Sequence, residues 1–352
     1  DMGNTSAMGA KAVLLNTTDA MTDNGTSTTA DDTFVSGSLW NRRYGWGYLN
    51  LGSAYLHGLN VFLDSVPDAP ENADFRLYAG QMFTHERATL VWQRHVAYNG
   101  ATFPTQIEAL SNLDLLAYRE SDNALVASST SAIDNVEQFH VTADAFVVLK
   151  VEAIGQFDPD IASEDFALAT QENFVAATGP AFAPTFQVPF AVPPGSAFSV
   201  SVTVQNIGDL AAHAVSVSLA GASVISGVNP AALGTIPAGQ SGIASWTVQA
   251  AAEPGTYPLS AGVTSNSYGE MFSGSGAGSY TVSPAGCTGD TNCDGAVDFE
   301  DIDAFVLALQ GQAAYAAEYP GCAWLNADCN EDGSVTFDDI ELFIALIGTQ
   351  CR

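Results

Sequence analysis

The sequence is short of positive charge. It carries 9 Lys plus Arg against 39 Asp plus Glu in 352 residues, a formal net charge of −30. A surface this acidic repels phosphate backbones and anionic headgroups, which argues against nucleic-acid binding and membrane-surface docking. Long hydrophobic runs are also missing. No stretch approaches the ~18–20 apolar residues of a spanning helix, so no membrane insertion is expected. The first thirty residues lack a basic region followed by an apolar one, so no export signal is expected in them. Cysteine does not occur before position 287. Charged residues make up only 14% while hydrophobic ones reach 47%, which excludes wholesale disorder.

Catalytic signatures are missing too. There is no phosphate-cradling Gly loop, and His85-Glu86-Arg87 is not followed by a second His at metalloprotease spacing. His95 and His140 sit in strand-like contexts and read as structural or exposed. Ser6 and Ser27 precede all five His and read as loop residues. No catalytic residue is assigned.

The length suggests two or three domains at roughly 150 residues each. The expected fold class is mainly β and multidomain: a β-sandwich, an immunoglobulin-like β-sandwich, and then a small α-helical calcium-binding domain. Residues 1–60 contain a helix-like patch, Ala10–Asn16, and an aromatic knot, Trp40–Leu51. Short alternating runs such as Ala88–Trp92, Leu113–Tyr118 and Ala145–Val151 predict an antiparallel sandwich over 61–156. Residues 157–183, without a clear period, read as linker. Over 184–283, Phe198-x-Val200-x-Val202-x-Val204, Val215-x-Val217-x-Leu219 and Trp246-x-Val248, punctuated by Pro-Gly turns, predict an immunoglobulin-like sandwich.

The tail, 284–352, changes character, with thirteen carboxylates and one basic residue, Arg352. Asp290, Asn292, Asp294, Asp298 and Asp301 place oxygens at positions 1, 3, 5, 9 and 12 of a twelve-residue EF-hand loop. Gly295 is at the sharp turn of position 6, and Ala296 at position 7 offers its carbonyl. The pattern recurs 38 residues later as Asp328, Asn330, Asp332, Gly333, Ser334, Thr336 and Asp339. Each loop runs into an apolar stripe: Ile302, Phe305, Val306 and Leu309, then Ile340, Phe343, Ile344 and Ile347. Clustered carboxylates repel unless a cation neutralises them, so two Ca²⁺ sites are expected.

All five Cys (287, 293, 322, 329 and 351) lie in this tail, the density of a small extracellular module. Two disulfides and one thiol are expected, with the connectivity unreadable. Zinc is the alternative ligand chemistry, but the tail has no Cys-x-x-Cys and no His.

Two loop–helix repeats with Asp at position 12, the first preceded by Ser283–Cys287 rather than a helix, resemble a type I dockerin. That resemblance implies calcium-dependent folding and attachment to a cohesin-like domain or a cell-surface scaffold, with an extracellular, bacterial location. Dockerins read cohesin through small hydroxyl residues at positions 10 and 11. This chain has Phe299-Glu300 and Phe337-Asp338 there, and an insert at Gln310–Leu325.

Lys11–Thr17 followed by Tyr44–Ala54 resembles the end of a subtilisin-like catalytic domain, and the strand order over 61–156 resembles the β-sandwich that follows such domains. In that family the nucleophile lies in Gly-Thr-Ser-Met-Ala-x-Pro, which this sequence lacks. The resemblance implies that the triad precedes Asp1, so a protein substrate would be met only through the missing catalytic domain. The expected function is the non-catalytic C-terminal region of a secreted subtilisin-like serine endopeptidase. The alternatives are a non-enzymatic, calcium-dependent adhesion or scaffold-binding protein and an accessory part of a polysaccharide-degrading enzyme.

Overall fold

A computed structural model describes residues 6–21, 40–41, 43–68, 75–97, 106–107, 110–155, 157, 161–189, 192–282 and 287–351. The chain is mainly β and divides into two units. The first comprises Asp1–Gly179 with Asp209–Ala211 and Ser267–Glu270, and the second the remainder.

The first unit begins with helices α1 (Ala7–Asn16) and α2 (Leu51–Leu56). Ser6 caps α1 by accepting from the Gly9 amide at 3.4 Å, and Asn50 caps α2 through Ser53 at 2.9 Å, satisfying amides that have no partner within the helix. Ser6 is therefore a helix cap, while Ser27 lies outside the described residues. The strands are β1 (Val61–Pro67), β2 (Phe75–Met82), β3 (Arg87–Trp92), the short pair β4 (Val96–Ala97) and β5 (Gln106–Ile107), then β6 (Leu113–Arg119), β7 (Leu125–Ser129), β8 (Val136–His140), β9 (Ala145–Ala153), β10 (Ser163–Ala169) and β11 (Val175–Ala177). Two antiparallel sheets, ordered β1-β10-β3-β8 and β11-β2-β9-β6-β7, enclose a core that includes Leu90, Trp92, Leu115, Leu149, Phe166 and Leu168.

Residues 163–169 correct the reading of 157–183 as linker. They form β10, paired to β1 on one side and β3 on the other. Phe166 and Leu168 point into the sandwich, while Ala167 and Ala169 join α1, Val91 and Ala54 in a second cluster on the outer face. A strand covered on both faces shows no apolar–polar alternation, which is why no period was visible. Small alanines on the outer face leave room for Ala12 and Val13 of α1. A polar seam fixes the helix end: Thr89 Oγ1 donates to Asn16 Oδ1 (2.8 Å), Gln138 Nε2 to Thr89 Oγ1 (2.8 Å), and Arg87 Nη1 to the Thr18 carbonyl (3.1 Å).

The second unit contains β12 (Phe182–Gln187), β13 (Ala197–Asn206), β14 (Ala212–Ala220), β15 (Ser223–Ser226), β16 (Ala231–Ile236), β17 (Ser241–Gln249), β18 (Gly255–Ser267) and β19 (Glu270–Val282). They form sheets β12-β13-β17-β15 and β16-β14-β18-β19 around Val200, Val202, Val204, Val217, Trp246 and Val263. Alternate positions of β13 are buried as its sequence predicts.

The tail adds β20 (Ala296–Val297), α3 (Asp301–Ala308), α4 (Gln312–Glu318), a 3-10 turn (Trp324–Ala327), α5 (Ile340–Leu346) and β21 (Thr349–Gln350). Disulfides join Cys287 to Cys351 and Cys293 to Cys322, leaving Cys329 as a buried thiol. Phe305 stacks on Phe343 with ring centroids 4.2 Å apart. The predicted apolar stripes are only half buried. Phe305 and Phe343 face the core, whereas Ile302, Val306 and Ile344 are exposed, because the small Ala304 and Ala308 share the buried face of α3. The insert Gln310–Leu325 supplies part of this core: Tyr315 is buried and donates to the Thr291 carbonyl at 2.5 Å, and Trp324 Nε1 donates to the Ala308 carbonyl at 2.9 Å.

Candidate metal loops

All twelve predicted ligand positions lie in two loops, Asp290–Asp301 and Asp328–Asp339, that share one hydrogen-bond pattern. In the first, Asp290 accepts from the amides of Asp294 (3.2 Å) and Gly295 (3.1 Å). In the second, Asp328 accepts from Asp332 (3.1 Å) and Gly333 (2.8 Å). Asn292 Oδ1 accepts from the Asp294 amide (2.8 Å) and Asn330 Oδ1 from that of Asp332 (2.9 Å). Asp294 Oδ1 accepts from Ala296 N at 3.0 Å, and Asp332 Oδ1 from Ser334 N at 2.9 Å. Asp301 closes its loop on the amides of Asn292 (2.9 Å) and Asp298 (2.9 Å); Asp339 does so on Asn330 (3.0 Å) and Thr336 (2.8 Å).

Gly295 and Gly333 have φ of 97° and 88°, a region that disfavours any Cβ. Position 4 is also left-handed, at Cys293 (57°) and Glu331 (60°), a requirement that the residue types there do not announce. The position-9 side chains serve as caps: Asp298 Oδ1 accepts from Glu300 N (2.8 Å) and Thr336 Oγ1 from Asp338 N (3.2 Å). The carbonyl-bearing Ala296 pairs with Gln350 in the β20–β21 ladder.

Asp290, Asp301 and Asp339 are fully buried and Asp328 nearly so. Residues 287–351 contain no Lys, Arg or His to neutralise them. Burial pushes the Asp290 carboxyl above its ordinary range, and the charges of Asp301 and Asp294 push it further, against the hydrogen bond from Gly295. Carboxylate oxygens that accept an amide keep further lone pairs. An all-oxygen set with carboxylates at positions 1, 5 and 12 suits a hard divalent cation, so the donor set fits Ca²⁺. Among the described residues, the one set of three or more possible Cys, His or carboxylate ligands whose ligating atoms lie within 4.8 Å of one another is Cys287, Asp290 and Cys351, and both sulfurs are committed to a disulfide; the carboxylates of neither loop are gathered that tightly. The buried Asn326, which the loop pattern does not reveal, donates to the Asp290 carbonyl at 2.9 Å.

Elsewhere, His95 Nε2 lies 2.9 Å from Glu164 Oε2, and Ser111 Oγ donates to the same oxygen at 2.6 Å. The hydroxyl proton is directed to the carboxylate rather than to the imidazole, so this trio holds the loop after β3 and does not activate a nucleophile. Among the described helices none is long and apolar enough to cross a membrane.

No protein-family model matches the chain, and no curated protein does. Among solved structures, it is similar to a DUF4785 family protein from Legionella pneumophila (10% identity, 64% of this chain and 65% of that one, TM-score 0.21). It is also similar to β-glucuronidase 3 from Bacteroides uniformis (7% identity, 62% of this chain and 27% of that one, TM-score 0.20). The chain thus spans less than two thirds of either protein's length.

Proposed function

We propose that residues 287–351 are a calcium-stabilised attachment module of the type I dockerin kind, closing the non-catalytic C-terminal region of a secreted, multidomain subtilisin-like serine endopeptidase. One observation carries the calcium reading: two loops 38 residues apart repeat the same carboxylate-to-amide bonds around buried Asp side chains that have no basic partner in their segment. Ca²⁺ would be held by the side chains of Asp290, Asn292, Asp294, Asp298 and Asp301 with the Ala296 carbonyl, and by Asp328, Asn330, Asp332, Thr336 and Asp339 with the Ser334 carbonyl. When bound, it supplies the positive charge that lets these carboxylates share a small volume. The residues themselves do the positioning: Gly295 and Gly333 turn the chain, and Asp301 and Asp339 tie each loop's start to the helix that follows.

Attachment would use the apolar side chains left outside the tail's core. Phe299 and Phe337 are each 77% exposed at position 10 of their loops, with Val306 and Ile344 exposed on the helices that follow. A cohesin-like partner for these surfaces would differ from one that reads hydroxyl residues. The two disulfides are compatible with an extracellular location. In the second unit, β12-β13-β17-β15 against β14-β18-β19 corresponds to the A-B-E-D and C-F-G strand order of an immunoglobulin-like sandwich with β16 added at one edge.

The subtilisin-like reading is supported by α1, the Tyr44–Gly47 turn and the Asn50-capped α2, which follow in that family's order. Of α2 only Ala54 is buried, while Leu51, Tyr55 and Leu56 are open, as at a face that a larger domain would cover. The native polypeptide should then react with a fluorophosphonate probe and exceed this chain in mass. A probe-silent species of this chain's size would favour the adhesion-protein alternative.

Calorimetric titration of Ca²⁺ into the chelator-stripped chain tests the metal reading, with two binding events expected and both lost in Asp290→Ala/Asp328→Ala. Absence of binding heat, together with a melting curve indifferent to chelator, would overturn it.

A further inference from the structure

The first unit holds an open cavity of about 480 Å³ lined by Lys11, Leu15, Trp40, Trp46, Asp134, Asn135 and Val136. This volume falls within the ~300–1,000 Å³ of small-ligand sites. Three segments build it, each held in place by its own hydrogen bonds. Lys11 and Leu15 are one turn apart on α1. Trp40 and Trp46 flank a turn in which Asn41 accepts from the Arg43 (3.1 Å) and Tyr44 (2.9 Å) amides and donates to the Met21 carbonyl (2.7 Å). The Trp46 carbonyl accepts from Thr18 Oγ1 at 2.5 Å. Asp134 and Asn135 enter β8, where Ser131 Oγ donates to Asp134 (2.9 Å) and Asn135 Nδ2 donates to the Trp92 carbonyl (2.9 Å). These bonds hold Asn41, Trp46, Asp134 and Asn135 in place without a ligand, which lowers the cost of binding.

We infer that this cavity binds a neutral carbohydrate, a short segment of an uncharged glycan. Trp40 leaves 55% of its surface exposed, and Trp46 is half-buried beside it. A pyranose ring presents C–H groups on its faces and hydroxyls at its edge. It can therefore cover indole and the Leu15 and Val136 side chains while hydrogen-bonding to the Asp134 carboxylate, the Asn135 amide and the Lys11 ammonium. An apolar peptide would cover the indoles equally well but would make no use of the remaining hydrogen-bonding capacity of those three polar groups, which a sugar's edge hydroxyls can take up. Lys11 and Asp134 balance one another in charge, and the chain's net charge of −30 disfavours acidic polysaccharides.

The test is calorimetric titration and tryptophan-fluorescence quenching of the whole chain in Ca²⁺ buffer with cellotetraose, xylotetraose and chitotetraose. At least one should bind, and Trp40→Ala should weaken it by about tenfold or more. Asp134→Ala should also weaken it, with the far-ultraviolet circular dichroism of both variants unchanged. Binding by none of the three, binding that both variants retain at full strength, or displacement by an apolar peptide but not by a sugar would overturn the assignment. Because the cavity shares no residue with the calcium loops, its failure leaves the metal reading standing.

Discussion

The sandwich of the first unit and the tail bury charge in opposite ways. In the sandwich a buried charge has a charged or polar partner beside it. Glu164 receives His95 and Ser111, and Lys150 pairs with Glu152 on its own strand. In the tail, buried Asp290, Asp301 and Asp339 meet backbone amides, with no basic residue in the segment. The sandwich meets its electrostatic cost from within. On the calcium reading proposed above, the tail's is met by a cation from solution, since its small core of Phe305, Phe343, Tyr315 and Ala304 gives little apolar burial to offset it.

Chelation should split the two regions most sharply. Stripping Ca²⁺ should abolish the tail's helical circular dichroism while the β signal persists, and Cys329 should begin to react with a thiol reagent. Its thiol is buried, and burial, with the Asp339 and Asp328 charges, pushes its pKa up to about 12. Helix signal and thiol protection that both survive chelation would remove the distinction. The sandwich should respond to lost apolar volume instead: Trp92→Ala, at a fully buried site, should cost about 3–5 kcal/mol by denaturant melting, with or without Ca²⁺. Opening the Cys287–Cys351 bridge in a Cys287→Ser/Cys351→Ser chain frees a 64-residue separation and should cost the tail about 4 kcal/mol, leaving the sandwiches' melting unchanged.

The smallest effect concerns pH. Burial, and then the neighbouring Glu152, raise the Asp114 carboxyl from 3.8 to about 6, against the pull of Lys150. A carboxyl whose pKa rises on folding holds its proton better in the folded state. Its contribution is full below pH 3.8 and is lost as pH climbs through about 6. Asp114→Asn should therefore flatten the fall in the first unit's melting temperature across that window. An unchanged slope would show that Asp114 keeps its charge at no cost.

Much of this was legible in advance. Val200, Val202 and Val204 alternate with polar residues and were predicted to be a half-buried strand. The two Asp-rich loops were readable because liganding oxygens must recur at fixed spacing around a tight glycine turn. The strand at 163–169 was not, because the Ala167 and Ala169 face is covered by α1 and looks as apolar as the Phe166 and Leu168 face. The pairing of five cysteines could not be read either, since parity leaves one thiol over without saying which.

The sequence alone therefore determined what local periodicity and ligand spacing encode: β-strands and two acidic loops. Only the tertiary structure decided which sheet each strand joins and which side of α3 is buried. It also decided that Cys287 meets Cys351, and that Lys11, Trp40, Trp46 and Asp134 line one cavity. The reason is physical: spacing along a chain constrains neighbours a few residues apart, whereas contacts between distant segments are chosen by the packing of whole faces.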